Sequence, residues 1–131
     1  MKIDINKLRK LEKDGWLMSQ VHPTLPLIIW NYTNQTQWEG YWNEFTLMCR
    51  ALVTDTEGEV VAHPMKKFFN YSELLAKGQV PFDDFFTVYK KMDGSLIQLF
   101  YYKDTWVISS RGSFTSDHAN YAFEIIVDQY P

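Results

Sequence analysis

Lys91-Met92-Asp93-Gly94-Ser95-Leu96-Ile97-Gln98-Leu99-Phe100-Tyr101-Tyr102-Lys103-Asp104-Thr105-Trp106-Val107-Ile108-Ser109-Ser110 sets the architecture of this chain. Residues 96–102 and 105–110 are dense in aromatic and β-branched side chains, which suit a pleated, half-buried strand. Only Lys103-Asp104 separates them, so they read as an antiparallel hairpin. Residues 85–91 have the same composition and meet the hairpin across Asp93-Gly94, which predicts a further antiparallel strand ending at Lys91.

The same grammar extends upstream. Residues 27–32 form a compact apolar run after the loop bracketed by Pro23 and Pro26, and predict a largely buried strand. Residues 44–53 and 59–62, divided by the turn signal Asp55-Thr56-Glu57-Gly58, predict a second hairpin, and the polar residues 33–40 predict a connection. Residues 66–70 continue as an extended stretch or loop. Helical spacing marks residues 4–13, through Ile5, Leu8 and Leu11, with Asp4 as cap and Gly15 as stop. It returns in residues 116–130, with Ser116 or Asp117 as cap, and residues 71–76 allow one or two turns ending at Lys77-Gly78. The expected class is α+β, an antiparallel sheet with flanking helices.

A chain of 131 residues, 46% hydrophobic and 17% aromatic, can fill one core, so residues 1–131 are read as a single domain. The net charge of −3 gives no global basic field, and any nucleic-acid contact has to be local. One cysteine excludes an internal disulfide, and no Cys and His set has metal-ligand spacing. No signal peptide and no run of membrane-spanning length appears, so the expected setting is the cytoplasm, away from membranes. Repeats and low-complexity tracts are absent from the sequence. Trp30, Trp106 and the Phe85-Phe86 pair are expected in the core, Cys49 buried, and His22 and His118 at the surface or capping turns.

Lys91-Met92-Asp93-Gly94-Ser95 carries the chemistry. A lysine amine attacks a nucleoside triphosphate only when deprotonated, which needs desolvation or nearby positive charge, and Lys90 is placed to supply some. Asp93 can anchor a turn or accept from a ribose, Gly94 lets a ligand approach the backbone, and Ser95 offers a hydroxyl. Taken alone, the pentapeptide reads as a plain hairpin turn before it reads as an active site.

Its surroundings add a resemblance. The pentapeptide matches the KxDGS signature of covalent nucleotidyltransferases, which form lysyl-AMP or lysyl-GMP. Ala62-His63-Pro64-Met65-Lys66-Lys67-Phe68-Phe69-Asn70-Tyr71-Ser72-Glu73 resembles the "ARPxxKFFNxxE" segment of phage-type RNA ligases that repair broken tRNA. Asn31-Tyr32-Thr33, Cys49-Arg50-Ala51-Leu52-Val53 and Ser110-Arg111-Gly112-Ser113-Phe114 are similar to further segments of that family, in the same order. The resemblance implies the front part of a nucleotidyltransferase (ATP-grasp-like ligase) domain in which Lys91 is adenylylated. It implies that Arg50, Lys67 and Arg111 hold phosphates, Phe69 lines the nucleotide pocket, and Asp93 and Gly94 meet the ribose or shape the turn around it. ATP, Mg2+ arriving on the phosphates, and RNA ends, including those of tRNA, are the implied ligands.

Departures from the pattern are Ala51 for a glycine, His63 for an arginine, and Lys90 for an acidic residue. The family's later carboxylate, EG and paired-lysine strands find no match after Arg111. Phe123-Glu124, the nearest likeness to the first of them, lies in a helical pattern. Two expectations follow. One is an N-terminal fragment or split half of an RNA ligase, completed by a second chain or working as a homo-oligomer. The other is a non-catalytic module that binds nucleotide, RNA ends or another protein, with a ligand-free remnant as its limiting case.

Overall fold

The carboxylate of Asp4 accepts hydrogen bonds from the backbone N–H groups of Asn6 and Lys7, and α1 (Ile5–Lys13) runs from that cap to Gly15, which turns the chain at φ 88°. The computed structural model describes residues 1–79, 85 and 87–131. After α1 come β1 (Leu17–Val21), β2 (Leu27–Tyr32), α2 (Asn34–Glu39), α3 (Glu44–Met48), β3 (Arg50–Asp55), β4 (Val60–Ala62), α4 (Tyr71–Ala76), β5 (Ile97–Tyr102), β6 (Thr105–Ser110) and α5 (Asp117–Gln129). Strands β1 to β4 form one antiparallel sheet in chain order, and β5–β6 is a separate antiparallel hairpin. The α+β class expected from the sequence is the class observed.

β2 is the central strand, and all six of its residues are buried. The pleat sends Ile28, Trp30 and Tyr32 to a core shared with Leu8 and Leu11 of α1, while Leu27 and Ile29 pack on Val107 of β6 and on Phe114. The sheet is therefore covered by α1 on one face and by the β5–β6 hairpin on the other. Trp30 is fully enclosed, and its indole N–H donates to Thr54 Oγ1 at 3.0 Å, so burial leaves no orphan donor there. Cys49 is fully buried beside it in the α1-side core.

Several expectations are corrected. Residues 44–48 are helix rather than strand, because Asn43 Oδ1 accepts from the N–H of Phe45 and Thr46 while Thr46 Oγ1 accepts from Asn43 N, a reciprocal cap that overrides the β-forming composition. The polar residues 33–40 hold α2, capped by Thr33 and ended by Gly40 at φ 65°. β1 was not expected, and β2 supplies its pairing. No strand forms over Phe85 and residues 87–91; Phe86 lies outside the described residues. Composition alone does not make a strand without a partner ladder. Trp106 and Phe85 are 61% and 92% exposed, outside the core in which the sequence places them.

Candidate functional site

The site begins at an irregularity in the sheet. Trp30 pairs with Leu52 and Asn31 pairs with Arg50, so Ala51 is the extra residue of a bulge. Ala51 is fully buried and adopts φ 56°, the left-handed region that glycine enters freely and alanine enters at a cost of about 1–2 kcal/mol. Asn31 stabilises the bulge from the neighbouring strand. Its Oδ1 accepts from Ala51 N at 3.0 Å and its Nδ2 donates to Arg111 O at 2.9 Å. Gln98 of β5 donates to Ala51 O at 2.9 Å. A single buried amide thus ties the start of β3, with Arg50, to the segment after β6, with Arg111.

These ties place Arg50 and Arg111 at one cavity of about 340 Å³, together with Gly94, Ser95, Leu96, Ser110, Gly112 and His118. Nη1 of Arg50 is buried and has no hydrogen-bond partner among the described residues. A buried donor without an acceptor is costly. The Arg50 side chain also lies over the Phe68 ring, 5.5 Å from its centroid.

Beside the cavity stands a cluster of rings. Tyr32 and Trp42 meet edge to face at 5.0 Å, and Trp42 meets Phe69 likewise at 5.5 Å. Lys67 Nζ lies 5.8, 5.6 and 5.1 Å from the Tyr32, Trp42 and Phe69 centroids. The Arg111 guanidinium lies 4.7 Å from the Tyr32 centroid, and Lys77 Nζ 4.3 Å from that of Phe69. Tyr32 is thus the floor on which Lys67 and Arg111 converge, held by cation–π attraction. Lys67 N donates to Leu47 O at 2.8 Å, which fixes its segment against α3.

Arg50, Lys67, Phe69, Gly94 and Arg111 are therefore brought into one region of the surface. Lys91, Lys90 and Asp93 are not: all three are exposed, and none lines the cavity or joins the ring cluster. The expected strand end facing a cleft is replaced by an irregular segment, because among the described residues no strand pairs with residues 87–91. The sequence reading missed Tyr32 as a floor, Trp42 as a wall, Asn31 as the tie, and Ser110 and His118 as lining. For Asn31 a signal exists, since a polar amide inside the apolar run of residues 27–32 has to find hydrogen-bond partners.

Burial tunes the groups nearby. Desolvation pulls His63 below the ordinary histidine value despite a hydrogen bond to the Met48 backbone, and its Nε2 is buried without a partner among the described residues. Desolvation also lowers His22, whose Nδ1 accepts from Thr24 N and Leu25 N, each at 3.1 Å. His22 is in this way the turn-capping residue the sequence suggests. The Cys49 thiol is pushed up to about 12 by burial, so it is protonated and unreactive near neutrality. Among the described residues no cluster of His, Cys, Asp or Glu could hold a metal ion, and no helix is long and apolar enough to cross a membrane. A protein-family model described as RNA ligase matches residues 48–130, a stretch that contains Arg50, Lys67, Phe69, the pentapeptide and Arg111.

Proposed function

The chain belongs to the phage-type RNA ligase family, and from that premise we propose that it binds ATP over Arg50, Lys67 and Arg111 and takes AMP onto Lys91. The observation that carries this reading is the gathering of Arg50, Arg111 and the Gly94-Ser95 half of the pentapeptide around one cavity. Cations from separate segments suit a polyphosphate and would favour the neutral form of an approaching amine. Phe69 and Trp42 would flank the base, and Arg111 and Lys67 the phosphates.

In the proposed step the Lys91 amine, having lost its proton to solvent, attacks the α-phosphorus. A P–N bond forms, the bond from the α-phosphorus to the bridging oxygen breaks, and pyrophosphate leaves with the electron pair. Mg2+ supplies charge neutralisation when it enters on the phosphates. AMP would then pass to an RNA 5′-phosphate, and a 3′-hydroxyl would displace it to seal the strand.

Incubation with α-labelled ATP and Mg2+ tests this. Label that stays on the denatured parent chain, survives alkali, is released by acid as expected of a P–N bond, and is lost in Lys91→Ala is the expected result; running the assay at rising protein concentration shows a requirement for a second copy as non-linear labelling. No label in the parent sinks the transfer reading. A second reading, a module that binds nucleotide or RNA ends without transfer, is favoured by the exposure of Lys91 away from the cavity. It predicts thermal protection by ATP with no label.

A further inference from the structure

The cavity beside Arg50 and Arg111 has a lining residue that the family resemblance does not assign, His118 in the first turn of α5. Its lining holds two arginines, this histidine and the hydroxyls of Ser95 and Ser110, and contains no carboxylate among the described residues. Such a surface repels cations and offers hydrogen bonds only to acceptors, with the hydroxyls able to turn as needed.

The backbone that carries His118 is held in place. Ser116 Oγ donates to Ser110 Oγ at 2.7 Å and accepts from Ala119 N at 3.2 Å, which fastens the start of α5 to the end of β6. Ser110 N in turn donates to Ser113 O at 2.9 Å, closing the turn that carries Arg111.

We propose that this cavity takes a phosphate group and that His118 donates a hydrogen bond to it, so that α5 is part of the ligand site. The inference rests on the reading of the cavity as a phosphate site given above. The phosphate can come from the diphosphate end of a nucleotide or from the 5′-end of an RNA strand. Both present the same dianionic oxygens to Arg50, Arg111 and His118.

Inorganic pyrophosphate is titrated into the full 131-residue chain while the imidazole resonances of His118 and His22 are followed by NMR. A saturable shift of His118 with His22 unmoved is expected. His118→Ala should weaken pyrophosphate about tenfold, the scale of one hydrogen bond to a charged group, and His118→Gln, whose carboxamide still donates, should recover most of it. Parallel titrations with a short oligoribonucleotide bearing a 5′-phosphate or a 5′-hydroxyl distinguish the sources: discrimination between the two ends assigns the RNA phosphate, and equal weak binding assigns the nucleotide. A His118 signal unmoved at saturating pyrophosphate, or an alanine variant that binds like the parent, overturns the inference. Label transfer to Lys91 without a His118 response sinks this inference alone. A His118 response without label transfer sinks only the transfer reading.

Discussion

Residues 27–32 with 50–55 and residues 87–95 carry the two halves of the same proposed chemistry, and they are built in opposite ways. The paired strands β2 and β3 are almost wholly buried, laddered on both sides, and joined through Asn31 and Gln98 to the neighbouring segments. Residues 87–95 are exposed, lie in no strand, and form no backbone hydrogen bond among the described residues. The difference teaches that the chain's own packing builds the cradle of cations, while nothing described in the fold sets the proposed nucleophile against it. In the proposed account the ligand does that, since a bound polyphosphate offers the charge that draws Lys91 in and the cations that favour its deprotonation.

The comparison breaks most sharply at Lys91. Lys91→Ala is expected to abolish adenylylation, by roughly a thousandfold or more, because the bond-forming atom is gone. It should leave the unfolding free energy within about 0.5 kcal/mol of the parent, as an exposed side chain outside the packed structure does. Labelling and urea denaturation read both, and a large loss of stability would show that the segment is packed after all.

Asn31→Ala attacks the other region. Ala51 N and Arg111 O both lose their partner inside the protein, which predicts destabilisation of about 2–5 kcal/mol by denaturant melts. Ala51 sharpens the same point. Ala51→Val forces a β-branched side chain into the left-handed region and should cost about 2 kcal/mol or more. Ala51→Gly relieves about 1 kcal/mol of backbone strain but removes a buried methyl worth about 0.8 kcal/mol and loosens the unfolded chain, so the terms nearly cancel and little change is expected. The smallest effect is with pH. His22 and His63 both titrate below the ordinary 6.5 in the folded chain, so the unfolded chain binds the extra protons first. Their contribution is present above the unfolded value and is lost as pH falls through the lower folded values. Stability measured by denaturant should fall on acidification through that window, and His22→Asn should flatten part of the slope.

The sequence made legible what local pattern decides. The turn at Lys103-Asp104 places both residues at positive φ, 41° and 67°, the geometry a two-residue hairpin demands. The caps at Asp4 and Ser116 are where side-chain chemistry puts them. Residues 44–48, Phe85 and residues 87–91 depart from the strands expected of them for one reason: all are rich in strand formers, and strand composition says nothing about whether a partner ladder exists. The motif segments drew attention to Arg50, Lys67, Phe69 and Arg111, yet their convergence is set by the Ala51 bulge and the two-way bond of Asn31. Both depend on strand register, which no single stretch of sequence displays.

Amide hydrogen exchange, with and without ATP and Mg2+, tests the central contrast most directly. Exchange is expected to be slow over residues 27–32 and 50–55 in both states, and fast over residues 87–95 until ATP is added, when it slows. Protection of residues 87–95 in the free chain, or exchange there that ATP leaves unchanged, would contradict it.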